Sequence, residues 1–133
     1  MSDFRALLHS LAKRPAMYVG KCSVRAVSDY LNGYCHALGD VGHVETPLDG
    51  WVRWVESRFL ISHPAWHWTR ILLHVYGSDR AAIEALPQLH EEFLAQRAVL
   101  GVKGIEGEHR RRLIAKHGQD CYEPPATNTT RDD

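Results

Sequence analysis

Apolar residues in this chain recur three and four positions apart, and no glycine-flanked run of β-branched residues marks a strand, so helices are the elements it can pack. Near the amino terminus Phe4, Leu7, Leu8 and Leu11 fall on one face, which predicts a helix over residues 3–12. That helix must end before Pro15, whose ring cannot continue the ladder and which pushes the preceding residue out of the α region. Residues 14–20 then read as a loop.

Ser23 stands where an N-cap belongs, ahead of a stripe of Val24, Val27, Tyr30, Leu31, Tyr34, Cys35 and Leu38, with Gly39 as the expected C-cap. Residues 40–50 mix Gly42, Pro47 and Gly50 with acids and show no period, so they read as an exposed loop. A third helix over 51–60 turns Trp51, Trp54, Val55 and Phe59 inward and Arg53, Glu56 and Ser57 away. A fourth, over 66–76, carries Trp68, Ile71, Leu72 and Val75 on its core face and is closed by Gly77. Ser78 or Asp79 caps the next, over 79–99, which Pro87 kinks or splits, with a kink favoured. Beyond Leu100, Gly101, Gly104 and Gly107 loosen the backbone, and Pro124-Pro125 leads into a polar end. The expected fold is all-α: a compact bundle of five or six short helices in one domain over 1–118, with a flexible tail at 119–133.

A chain of 133 residues is long enough to bury about two-thirds of its unfolded surface in a single core. Its 16 Lys+Arg balance 16 Asp+Glu, which argues against a surface built as a whole to grip nucleic acid and leaves charge-driven contacts to local patches. Cys22, Cys35 and Cys121 form no CxxC pair, a usage that fits a reducing compartment. Asp3, Arg5 and Lys13 interrupt the amino terminus, so no secretory signal is expected there, and nothing approaches the roughly 20 apolar residues of a membrane span. A cytoplasmic protein is the expectation.

Several constellations invite chemistry. On one helix His63, His67 and His74 would fall within about 40° of each other at about 100° per residue, the basis for a small metal-binding hydrolase or regulator. The stripe lacks the glutamate of HExxH, and His63 precedes Pro64, so a polar helix shoulder is the better reading. Cys35 and His36 are adjacent and point about 100° apart on a helix, which leaves Cys35 a small buried hydrophobe. No GxSxG or phosphate-binding glycine loop is present, and Glu91-Glu92 reads as a solvated face near Arg97. Arg110, Arg111 and Arg112 could touch phosphates as a nucleic-acid-binding helper, yet acids follow close behind. No catalytic, cofactor or metal residue is therefore assigned. Trp66, with Leu73, would project from its helix opposite the core face, and tryptophan is enriched at binding hot spots. Together with Asp40, Glu45 and Asp49 of the acidic loop it makes four candidate partner contacts.

The turn Arg14-Pro15-Ala16-Met17-Tyr18-Val19-Gly20, followed by a helix holding Leu31-Asn32-Gly33-Tyr34, resembles a group of small bacterial proteins that share an Arg-Pro-x-Met-Tyr-x-Gly turn. The likeness continues through an aromatic-rich helix at 51–59, a Trp-bearing helix at 66–76 and an acid- and Ala-rich helix ending in Phe93-Leu94, and covers residues 4–96. It implies an immunity protein, encoded beside a polymorphic toxin, that binds and blocks one cognate toxin domain without catalysis. It carries over no active-site residues. Physically, Pro15 stops the first helix, Gly20 permits a positive φ, and Met17-Tyr18-Val19 are expected to tuck beneath the helix junction as an apolar plug.

Overall fold

The computed structural model describes residues 2–61 and 63–117, and these form an all-α fold of six helices. They are α1 (Ser2–Lys13), α2 (Pro15–Val19), α3 (Val24–Asp40), α4 (Trp51–Phe59), α5 (Trp68–Tyr76) and α6 (Asp79–His117). The expected tail at 119–133, with Cys121, lies outside the described residues. Helices α1, α3, α4 and α5 all pack on α6, and α2 bridges α1 to α3. Phe4, Leu8 and Leu11 of α1, Val24, Val27 and Leu31 of α3, Trp51 and Trp54 of α4, and Ile71 and Leu72 of α5 close over Ile83, Leu86, Leu89 and Phe93 of α6.

Local signals set most helix ends. The Ser23 hydroxyl accepts from the Ala26 amide at 3.1 Å and starts α3, and the Ser78 hydroxyl accepts from the Ala81 amide at 3.1 Å and starts α6. Asp79 instead reaches across the fold to accept from the Val24 amide at 2.8 Å, tying the start of α6 to the start of α3. Gly77 ends α5 with a left-handed φ of 87°, as expected. Gly39 does not end α3: the helix continues to Asp40 and its cap is Val41. Residues 14–20, expected as a loop, contain the short helix α2, because Pro15 sits at its first position, where its missing N–H costs nothing.

The largest departure from expectation is α6. Helical dihedrals run through Pro87, and the break falls at Gly101, with φ 74° and ψ 170°. That conformation is essentially restricted to glycine. The chain then reverses. Trp54 and Arg58 of α4 meet Gln96 and Glu92 of the first arm, whereas Gly50, Glu56 and Leu60 meet Val102 and Ile105, His109, and Lys116 of the second. Helix α4 thus lies between the two arms, antiparallel to one and parallel to the other. A Cβ at Gly104 would stand 2.8 Å from Leu100 Cβ, so the close return also needs glycine there. The glycine-loosened stretch is helical because it buries Ile105 and Leu113, at about 1.5–3 kcal/mol each, which outweighs about 1 kcal/mol for each of the two glycines within it.

A Cβ at Gly101 meets nothing within 4 Å, so the effect of Gly101→Ala is backbone strain alone. The variant is expected to lose about 1–3 kcal/mol in urea unfolding. A loss below 0.5 kcal/mol, on the order of an ordinary surface change, would show that the arms do not join through this conformation.

Candidate partner-binding surface

The acidic loop is fastened more firmly than its composition suggests. Asp49 turns its carboxylate back onto Thr46, accepting from the amide at 3.0 Å and from the hydroxyl at 2.8 Å. Arg97, 7% exposed, donates to the carbonyls of Thr46 at 2.8 Å and Asp49 at 3.1 Å and pairs with Glu45 at 3.4 Å. The carbonyl of buried Pro47 accepts from His90 Nε2 at 2.9 Å. Of the expected contacts on this loop, Asp40 and Glu45 face solvent, while Asp49 holds the loop closed. Glu91 and Glu92 are part-exposed and pair with Arg5 and Arg58, each at 3.1 Å, while Arg97 pairs with Glu45.

Trp66 is not on a helix face, since α5 begins at Trp68, and the wheel argument for a second apolar side fails at that residue. Its half-buried indole has the Arg70 guanidinium 4.6 Å from its ring centre and the rings of His74 and His63 at 5.5 and 6.0 Å. The histidine stripe dissolves for the same reason. His63 lies in the turn before α5, where its Nδ1 accepts from the Ala65 amide, and His67 is the N-cap, its Nδ1 accepting from the Thr69 amide at 3.2 Å. Burial, with Arg25 nearby, pushes the His67 pKa down and favours that neutral acceptor. Among the described residues no group of three His, Cys, Asp or Glu side chains gathers to hold a metal. Arg111 and Arg112 both engage Glu108, whose carboxyl these bonds hold below its ordinary range.

Helix α4 is buried on a side expected to face water: Glu56 and Ser57 are 6% and 4% exposed. Glu56 Oε1 lies 3.1 Å from His109 Nε2 and 3.0 Å from Arg53 Nη1. His109 also lines a recess of about 250 Å³ with Arg53, Glu106, Gly107 and Arg110, and is itself 1% exposed. The arrangement binds the second arm of α6 to α4. His109 was legible as the middle of the stripe Ile105, His109, Leu113, and Arg97 as the continuation of Leu86, His90 and Phe93. Cys35 is half-buried beside the core, and burial raises its thiol pKa.

His90 is 2% exposed among the rings of Phe4, Trp51 and Phe93, and desolvation there depresses its pKa despite the Pro47 bond. The folded protein therefore resists protonating it, while an unfolded histidine takes a proton near its ordinary 6.5. Stability is expected to be unaffected by this group above that value and to fall as pH drops from 6.5 toward the lower folded pKa. His90→Gln should remove this slope in denaturation midpoints measured across that window. An unchanged slope would show that His90 is not its source.

The Arg-Pro-x-Met-Tyr-x-Gly turn behaves differently from the expected plug. Pro15 is buried and Val19 half-buried, but Met17 is 72% and Tyr18 39% exposed. Gly20, at φ 81°, closes α2 by donating to the Ala16 carbonyl at 2.9 Å. In five residues, one helical turn seats only the side chains at its two ends, so Met17 and Tyr18 are left outside. Tyr18 meets Tyr30 of α3 edge-on at 6.1 Å, and Arg14 Nη1 lies 3.9 Å from Met17 Sδ. A second concavity, a groove of about 680 Å³ between the arms of α6, is walled by Trp54, Arg58, Val99, Leu100, Arg111 and Arg112 among others.

No protein-family model, no curated protein and no solved structure matches the chain.

Proposed function

We propose that this chain is a non-catalytic protein-binding module, an immunity protein that binds a cognate bacterial toxin domain in the cytoplasm and neutralises it. The observation that supports the reading is the display of Met17 and Tyr18. The turn that carries the family resemblance exposes two side chains the core does not use, and both are of types enriched at protein interfaces. The buried ionisable groups add to it, because Glu56, Arg97 and His90 are each occupied in fastening one segment of the fold to another. Among the described residues no helix is long and apolar enough to cross a membrane, which fits an encounter in the aqueous phase.

Co-expression with the product of the adjacent gene tests the reading. A stoichiometric complex that co-purifies, together with restored growth of cells making that product, is the expected result. Absence of both the complex and the rescue would overturn the proposal.

A further inference from the structure

We infer that the outward face of α2, formed by Met17 and Tyr18 with Tyr30 of α3 and fringed by Lys13, Arg14 and Lys21, is where an acidic face of the protein partner docks. This rests on the protein-binding reading above and adds the surface and the partner's charge.

Three observations carry it. Met17, Tyr18 and Tyr30 are all exposed, the rings of Tyr18 and Tyr30 meet edge-on, and Met17 precedes Tyr18 on the same short helix, with Arg14 Nη1 3.9 Å from its sulfur. Lys13, Arg14 and Lys21 have no carboxylate partner among the described residues, so this short stretch carries uncompensated positive charge in a chain of zero net charge. The larger groove between the arms of α6 carries less of this excess, because Arg58 pairs with Glu92 and Arg111 and Arg112 share Glu108, so each of its arginines has a carboxylate partner. A tyrosine- and methionine-bearing centre with a cationic rim matches a partner that offers an apolar anchor surrounded by Asp and Glu. An anionic membrane fits less well, since such recognition draws on clusters of about four to eight basic residues.

The test is titration of the purified toxin domain encoded beside this chain into the full-length protein and three variants, each checked by circular dichroism. Met17→Asp is expected to weaken binding about ten-fold or more. Lys13→Glu/Lys21→Glu should weaken it and flatten its dependence on salt, because it removes the charges that salt screens. Val99→Asp, on the rim of the α6 groove, should bind as the wild type does. Wild-type affinity in both turn variants would overturn the docking surface and leave the protein-binding reading standing, as would loss of binding in Val99→Asp alone. Binding of wild-type protein to phosphatidylserine vesicles through Met17, with toxin affinity unchanged in Met17→Asp, would overturn it too. Failure of the wild-type protein to bind the toxin domain would overturn both.

Discussion

Glu56→Ala is expected to destabilise the protein by roughly 3–5 kcal/mol, because two donors lose one ionised acceptor and each such bond contributes about 1.5–3 kcal/mol. His109, 1% exposed, would face an apolar gap, and Arg53 would keep its charge without this partner. The damage should be local first. Helix α4 meets the second arm of α6 through this contact, so backbone amides of residues 105–113 are expected to lose hydrogen-exchange protection before those of the first arm. Glu56→Leu combined with His109→Leu should recover much of the loss, since a buried polar pair can be replaced by apolar side chains of similar volume far more cheaply than it can be halved. A single-variant loss under about 1 kcal/mol, the level of an exposed pair, would refute the buried contact.

The same carboxylate sets an acid limit. Burial acts to raise its pKa, but hydrogen bonds from His109 and Arg53, with their charge, outweigh it and hold the folded value below 4.5. Above 4.5 the group is ionised in both states and its contribution to stability is complete. As pH falls through that value the unfolded chain takes up the proton first, and the contribution is lost until the folded carboxyl is protonated as well. Glu56→Ala should therefore lack this acid limb while keeping the His90 slope at higher pH.

Arg97→Ala is the second large effect, expected at roughly 3–5 kcal/mol from two charge-assisted bonds to carbonyls at about 1.5–3 kcal/mol each, together with the guanidinium lying over Phe93. Losing it takes the arginine donor from the Asp49 carbonyl and leaves the Thr46 carbonyl with the Asp49 amide alone. The amides of Asp49 and Trp51, which donate within the loop to Thr46 and Leu48, are expected to exchange faster. Arg97→Lys should recover little, because a single ammonium cannot reproduce a planar fork that meets both carbonyls and Glu45. Unchanged exchange at Asp49 and Trp51 in Arg97→Ala would mean that the loop closes without the arginine.

Much of the fold was legible because it is written in local chemistry. Ser23, Ser78 and Gly77 mark helix ends through groups within a few residues of themselves, and the apolar spacing on α1, α3 and α4 names the side that meets the core, except at Tyr30 of the α3 stripe, which is exposed. Where local rules stopped, so did the reading. Glu56 and Ser57 sit on the polar side of α4 and were expected in water, yet both are buried, Glu56 against His109 of the returning arm of α6, and nothing within α4 encodes that arm. The return itself depends on Gly101, which the sequence marks as permissive without saying in which direction the chain will leave it.

The candidate surface divides the same way. The chemistry of the turn, an arginine, a methionine and a tyrosine held between Pro15 and Gly20, was plain from the sequence, but whether those side chains close the core or face outward was not. Pattern alone favoured the core, because apolar groups are most often inside. The sequence by itself determined most of the helices, the caps at Ser23, Ser78 and Gly77 and the composition of that turn, all of which are set by neighbours a few positions away. Tertiary structure alone decided that Trp66 leaves the helix face, that Glu56 is buried, and that Met17 and Tyr18 are displayed. For Glu56 the reason is a segment remote along the chain, the arm bearing His109, that fills the space beside it.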